Sequence, residues 1–190
     1  CGVAEGTFQS PRGHEAEVRS LFFSPDGQRL VSGGMDHTLR IWDMASDKYF
    51  WANTSGNGVL KVVMSSDGEL IVTASVKDST LRLWDGRTGA SRGVLQGHQG
   101  DITDLALSPD GRRLVSASTD LTVRLWELTT QEGRVLRGHT ARVSGVHILD
   151  GQNLASIGWD GTVRLWPDDL PSEPQALRAW MATIIEGNLP

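Results

Sequence analysis

LVSASTDLTVRLW, residues 114–126, holds an apolar run leading to Ser116, a short turn carrying Asp120, and then Thr122, Val123, Arg124, Leu125 and Trp126 in alternation. Successive side chains on a strand point to opposite faces, so this alternation reads as two short strands joined by a tight turn, the second ending on a buried-type aromatic. Three other stretches repeat it: LVSGGMDHTLRIW at 30–42, LIVTASVKDSTLRLW at 70–84 and LASIGWDGTVRLW at 154–166. The closing residues Trp42, Trp84, Trp126 and Trp166 recur at intervals of 42, 42 and 40 positions.

Working outward, each stretch is preceded by the same kinds of residue. In the first unit Val18, Leu21 and Phe23 supply an apolar strand. Ser24-Pro25-Asp26-Gly27 then turns the chain, since proline presets φ at the second turn position and glycine tolerates positive φ at the fourth. Gly-His pairs stand ahead of three units, at 13–14, 97–98 and 138–139, and His to Trp is 28 positions in the first and third. TFQSPRGH at 7–14, RGVLQGH at 92–98 and RVLRGH at 134–139 read as short outer strands running into these pairs. A period of about 40–45 residues with four short strands per unit is the signature of a β-propeller blade.

The second unit is the most degenerate. Aligning back from its turn, Ser65-Ser66-Asp67-Gly68, puts Ser55 at the histidine position, and one extra residue sits between Thr73 and Asp78. It is therefore expected to be the softest of the four. After Trp166 the pattern stops at Pro167, Asp168, Asp169, Leu170 and Pro171, because proline cannot donate to a ladder. Ser172 and Gln175 can form a capping box; Leu177, Trp180, Met181 and Ile184 then fall on one helical face, and Gly187 is placed to end the helix. The predicted fold class is all-β, a propeller of four-stranded antiparallel blades forming a partial ring, plus a short C-terminal helix. Residues 1–12 are read as the outer strand of a preceding repeat. The repeats run 13–54, 55–96 (degenerate), 97–137 and 138–167 (incomplete), with a Pro-containing linker and amphipathic helix at 168–190.

Composition narrows the function classes. Hydrophobic content of 38% with 22 glycines fits a turn-rich β protein. A net charge of −5 argues against a nucleic-acid surface, which needs a basic patch. The single cysteine, Cys1, excludes an internal disulfide framework and is compatible with a reducing compartment, so a cytoplasmic location is expected. No apolar run approaches the roughly 18 residues of a membrane span, so no membrane insertion is expected. A first residue other than methionine points to a piece of a longer protein.

Taken together, Gly-His, Ser-Pro-Asp-Gly or a variant, then Ser, Asp and Trp at fixed offsets resemble the WD-repeat family over residues 6–167. That resemblance implies a buried hydrogen-bonded tetrad in each blade: His14-Ser32-Asp36-Trp42, His98-Ser116-Asp120-Trp126 and His139-Ser156-Asp160-Trp166. The second unit keeps only Thr73, Asp78 and Trp84. It also implies that the rim of the central channel is set by the strand after Gly-His and by the residue before the tetrad Asp. Those positions are Glu17, Arg19 and Met35; Gly58, Leu60 and Lys77; Asp101, Thr103 and Thr119; and Arg142, Ser144 and Trp159. Among them Trp159 and Arg142 stand out as partner anchors, since Trp and Arg dominate interface hot spots.

The implied function is a non-catalytic protein–protein interaction scaffold within a signalling or regulatory protein. Its partners would be other proteins or peptides, or an upstream domain of the same parent chain. The tail ALRAWMATIIE at 176–186 and the regular repeats are also similar to bacterial multidomain signalling proteins. His, Ser and Asp together invite a catalytic-triad reading, but a set repeated in every unit beside a Trp is a frame and not an active site. The histidines lie too far apart for metal-ligand spacing, and no phosphate loop is present, so no metal or cofactor is expected. Asn53-Thr54-Ser55 is a single weak sequon. Arg40, Arg82, Arg124 and Arg164 share one strand position, which points to a structural role. The rivals are a self-assembling half-propeller and, less favoured, an enzyme using the axial channel.

Overall fold

A left-handed residue closes the opening hairpin of each of the first three sheets, and the rest of the sheet follows from it. Gly27, Gly68 and Gly111 take φ of 69°, 71° and 68°, a region that an L side chain resists. Their amides donate to the carbonyls of Ser24, Ser65 and Ser108 at 2.8–2.9 Å. The same three serine hydroxyls donate to Asp26, Asp67 and Asp110 two residues on. A computed structural model describes residues 13–46, 49–54, 57–148 and 153–167. The outer strand expected in 1–12 and the helix expected in 168–190 lie outside these residues.

The first sheet is β1 (Val18–Phe23), β2 (Arg29–Gly34), β3 (Thr38–Asp43) and β4 (Tyr49–Asn53), in that order. The second is β5 (Val59–Met64), β6 (Leu70–Ser75), β7 (Leu81–Asp85) and β8 (Ser91–Leu95). The third is β9 (Ile102–Leu107), β10 (Arg113–Ser118), β11 (Thr122–Glu127) and β12 (Glu132–Arg137). The fourth holds β13 (Val143–Ile148), β14 (Asn153–Gly158) and β15 (Val163–Pro167). All described pairings are antiparallel, as short hairpin connections require.

The core lies between sheets, not within one. β1 packs on β5, β5 on β9 and β9 on β13, so the first strands line up side by side. At the first junction Val59, Val62 and Met64 cover Leu39 and Ile41. Ile102 and Leu105 cover Leu81 and Leu83 at the second. Val143, Val146 and Ile148 cover Val123 and Leu125 at the third. Polar stitches run across two of these junctions: the amide of Val62 donates to the Ser20 hydroxyl at 3.1 Å, and that of Val146 to Asp104 at 3.1 Å. At the second junction Lys61 instead reaches Asp104 at 2.9 Å.

The ends of the series differ. Val18, Leu21 and Phe23 on β1 occupy the positions that are covered in the later sheets, yet they are exposed. So are Ile157, Val163 and Leu165 at the other end. Junction geometry also restricts residue size. A Cβ on Gly33 would lie 2.3 Å from Val59 Cγ1, closer than any real contact, and a valine cannot swing away as a long side chain can. Gly33→Ala is therefore expected to destabilise the protein by about 1–3 kcal/mol through overpacking, read as a lower urea midpoint at unchanged slope. An unchanged midpoint would show that the junction is looser than described.

Candidate functional site

Each sheet carries a chain of polar side chains at one end, and proton bookkeeping gives it a direction. In the third sheet His98 Nδ1 lies 2.8 Å from Asp120 Oδ2, and a carboxylate can only accept, so Nδ1 carries the proton. His98 Nε2 is then an acceptor and takes the Ser116 hydroxyl proton at 2.7 Å. The Ser116 oxygen in turn accepts from Trp126 Nε1 at 2.9 Å. Trp42-Ser32-His14-Asp36 makes the same relay, with 2.8, 2.7 and 2.9 Å steps. Trp166-Ser156-His139-Asp160 makes it with 2.8 Å steps throughout. The amides of Glu15, Gln99 and Thr140 donate to the three aspartates, which ties the loop after each histidine to the turn.

A threonine two residues after each aspartate completes the carboxylate's shell. Thr38, Thr80, Thr122 and Thr162 donate their hydroxyls to Asp36, Asp78, Asp120 and Asp160 at 2.6–2.8 Å. The Asp-x-Thr spacing was present in all four repeats, so this partner was legible but unread.

Burial pushes the Asp120 carboxyl up, yet the bonds from Thr122, the Gln99 amide and His98 outweigh it and hold the group down at about 2. Burial lowers His98 from its ordinary 6.5 against the pull of Asp120, so the imidazole is kept neutral and the contact is a hydrogen bond before it is an ion pair. Asp36 and Asp160 are likewise held below the ordinary carboxylate range against burial, by their histidine, threonine and amide partners.

Ser-His-Asp in this order copies a nucleophile, base and orienting acid, but it cannot work as one. Ser116 is fully buried, and the oxygen that would attack already accepts the Trp126 proton. Among the described residues no three His, Cys, Asp or Glu side chains gather as metal ligands. The recurrent arginines serve the same frame. Arg40 and Arg82 lie 3.5 and 3.4 Å from Asp36 and Asp78, and Arg124 donates to the Gly97 carbonyl at 2.7 Å.

In the second sheet, where sequence alignment puts Ser55 at the histidine position, the described partner of the acid is a different residue. Asn57 Nδ2 donates to Asp78 Oδ2 at 2.7 Å, and Trp84 Nε1 to Thr73 at 2.9 Å. An amide side chain is shorter than an imidazole and reaches only the acid. Among the described residues no hydrogen bond joins Asn57 to Thr73.

The rim positions also sort by hydrogen bond. Met35, Thr119 and Trp159 donate their amides to the carbonyls of Glu17, Asp101 and Arg142 at 2.8–2.9 Å. In the second sheet Val76, not Lys77, donates to Gly58 in this way. Lys77 is the extra residue, accommodated at φ 67°, and its side chain is exposed. Glu17 and Arg19 are exposed and paired with each other at 2.9 Å. Asp101 is exposed, Thr119 half-buried, and Met35 packs where a Cβ on Gly58 would sit. Leu60 and Ser144 are half-buried, and Thr103 donates to the Val143 carbonyl at 2.7 Å.

Arg142 and Trp159 differ from the rest of the rim. The guanidinium carbon of Arg142 stands 3.2 Å from the centre of the Trp159 ring, while the indole stays 66% exposed. The indole face attracts the cation and keeps the guanidinium beside the exposed ring. The site thus offers an apolar plate beside an exposed cation.

A family model described as "WD domain, G-beta repeat" matches residues 5–43, 49–85, 89–127 and 130–167. Periodic tryptophan protein 2 of Arabidopsis thaliana is 29% identical over 80% of this chain and 17% of its own length. Apoptotic protease-activating factor 1 of Rattus norvegicus is 28% identical over 84% of this chain and 13% of its own. Nuclear distribution protein PAC1 of Arthroderma otae is 33% identical over 66% of this chain and 32% of its own. The chain therefore spans less than a third of these relatives. All three are eukaryotic, and they give the similarity to bacterial multidomain proteins no support. Among solved structures, that of U3-55K matches with a TM-score of 0.75 at 24% identity, covering 82% of this chain and 50% of the other. At that identity the likeness concerns the fold.

Two outcomes follow from the relay. Ser116→Ala leaves Trp126 Nε1 and His98 Nε2 buried without their shared partner. At about 1–3 kcal/mol for each stranded group it should lower the urea midpoint clearly more than Ser91→Ala at an exposed strand position; equal shifts would contradict the relay. The pH response has a fixed sign. His98 is lowered in the folded state, so stability starts to fall as pH drops below 6.5. Asp120 is depressed, so a second loss runs from its ordinary 3.8 down through about 2. A urea midpoint that is flat from pH 8 to 5 would count against the buried neutral histidine.

Proposed function

Because the chain belongs to the WD40 family of G-beta repeats, we propose that it is a non-catalytic scaffold that binds another protein or peptide, with Trp159 and Arg142 as the anchor on the rim. Members of this family act as protein-interaction scaffolds, and the repeated tetrad is accounted for as their frame. The observation that supports a binding role at this rim is the exposed, stacked Arg142–Trp159 pair, since the other rim charges and side chains are single, paired with a neighbour, or half-buried. Holding the guanidinium in place before a partner arrives reduces the ordering cost of binding. The partner chemistry that fits is an apolar side chain laid on the indole next to a carboxylate or carbonyl oxygen on the guanidinium edge.

The parent protein is proposed to be a larger regulatory or signalling protein, in which these repeats form one part of a propeller. A cytoplasmic setting is proposed on the compatibility of a lone cysteine with a reducing compartment. The test is selection of a random dodecapeptide library on the 190-residue chain. Trp159→Ala and Arg142→Ala, both at exposed positions, should keep the fold and weaken the selected peptides by about tenfold or more each. Peptides that bind both variants as well as the parent would remove this rim as the site.

A further inference from the structure

At the strand ends opposite the rim, the junction between the first and second sheets opens into a groove of about 370 Å³. Arg29 pairs with Asp43, Val31 with Ile41, and Ile41 with Phe50 across the ladder. Residues opposite one another in a ladder point to the same side, so all five share the face on which the second sheet packs. Ile41 is the buried floor, and a Cβ on Gly89, in the β7–β8 turn, would stand 3.7 Å from its Cδ1. Phe50, one strand further out, is left 55% exposed. Asp26, Gln28 and Arg87 complete the lining.

The equivalent groove of the third sheet is lined by Asp110, Arg112, Arg113 and Glu127. There Glu127, the acid that ends β11, stands 3.7 Å from Arg113. In the second sheet Asp85, the acid that ends β7, stands 2.6 Å from Arg92. The first sheet loses two of the cations: Gln28 occupies the place of Arg112, and Phe50 that of Arg134. Arg29 is drawn across the junction to the Gly86 carbonyl at 2.5 Å, and Arg87 is paired with Glu69 at 2.6 Å. Among the described residues no cation lies within ion-pair distance of Asp26 or Asp43.

Both carboxylates are nevertheless held in place. Asp26 Oδ1 accepts from the Ser24 hydroxyl and the Gln28 amide at 2.5 and 3.0 Å. Asp43 Oδ1 accepts from the amides of Ala45 and Ser46 at 2.8 and 3.1 Å. The second oxygen of each makes no hydrogen bond among the described residues, and both side chains are exposed. Oriented carboxylates beside an exposed ring match a planar cation, which can stack on the ring and pair with the acids at once. The protein makes the stacking half of this contact itself, with Arg40 5.3 Å from the centre of the Tyr49 ring. We propose that this groove is a second docking site, taking an arginine side chain from a basic segment of another protein. The guanidinium lies on Phe50 and pairs with Asp26 and Asp43, replacing the cations that the third sheet carries within itself. The site is independent of the Arg142–Trp159 rim.

The probe is an acetylated, fluorophore-labelled Ser-Arg-Arg-Arg-Ser peptide, titrated with the full 190-residue chain in about 0.15 M salt to screen diffuse attraction. Saturable binding is expected, and Asp43→Asn and Phe50→Ala, both at exposed positions, should each weaken it about fivefold. Phe50→Ala leaves the net charge unchanged, so its effect reads the stacking alone. Glu132→Gln removes an equal exposed charge on the third sheet and should change binding by less than about twofold. Gln28→Arg combined with Phe50→Arg, which copies the third groove, should abolish binding. Equal losses in Asp43→Asn and Glu132→Gln would mean diffuse attraction to an acidic chain and overturn the proposal. Full binding by Phe50→Ala, or tighter binding of an all-glutamate peptide, would overturn it too. So would a loss in Trp159→Ala, which would place the peptide at the rim, or the absence of saturable binding.

Discussion

Each sheet in this protein has apolar side chains on both faces, and no single sheet can bury them alone. That is the constraint on which the rest depends. A strand pair can satisfy its backbone within one hairpin, but Leu39 and Ile41 leave water only when Val59, Val62 and Met64 arrive from the next repeat. The hydrophobic gain is therefore made between repeats, and stability is a sum over junctions more than over sheets. Small residues at Gly33, Ala74 and Ala117 are the mark of that approach. The uncovered faces at the two ends are the same constraint unsatisfied within the described residues.

The polar relay is secondary in energy but decisive in geometry. Strands stacked side by side fix the faces of the sheets, yet they say little about the loops that connect them. The Trp-Ser-His-Asp chain pins the loop before β1, β9 and β13 to the hairpin turn of its own sheet, because every donor in it has one acceptor and a single imidazole tautomer serves them all. Loops fixed in this way can present side chains at a constant place around the rim. In the second sheet Asn57 holds the acid, and the extra residue Lys77 is taken up at positive φ. A changed partner for the acid and an insertion in the turn thus coincide in one repeat. That coincidence is physically reasonable, since a turn no longer held by a histidine tolerates a change of length.

Function on such a frame lies in what fails to repeat. Four rim positions share one backbone bond, and they carry Met35, Val76, Thr119 and Trp159. A scaffold that keeps the bond and varies the side chain separates folding from recognition, so the surface can change without cost to the core. The stacked Arg142–Trp159 pair is the largest departure, and it sits on the sheet where Ile157 stands at the position of Gly33, Ala74 and Ala117. Both departures belong to one repeat, which distinguishes it from the three regular ones.

Strands, turns and the repeat period were legible in the chain because they rest on local chemistry: alternation within five residues, proline and glycine within a four-residue turn, and a tryptophan at every closing position. The residues of the tetrads were legible for the same reason, as fixed offsets within one repeat. What local pattern could not reach were contacts in which spacing and space disagree. Val76 in place of Lys77 depends on how an inserted residue is absorbed, and that is settled by the backbone bonds a turn can still make. The overlap of Ile157 with Gly145, like the stack of Arg142 on Trp159, joins side chains more than ten positions apart across a hairpin. Sequence names such residues; only packing decides which of them share a volume, because two side chains cannot occupy one space and every buried donor must find its acceptor.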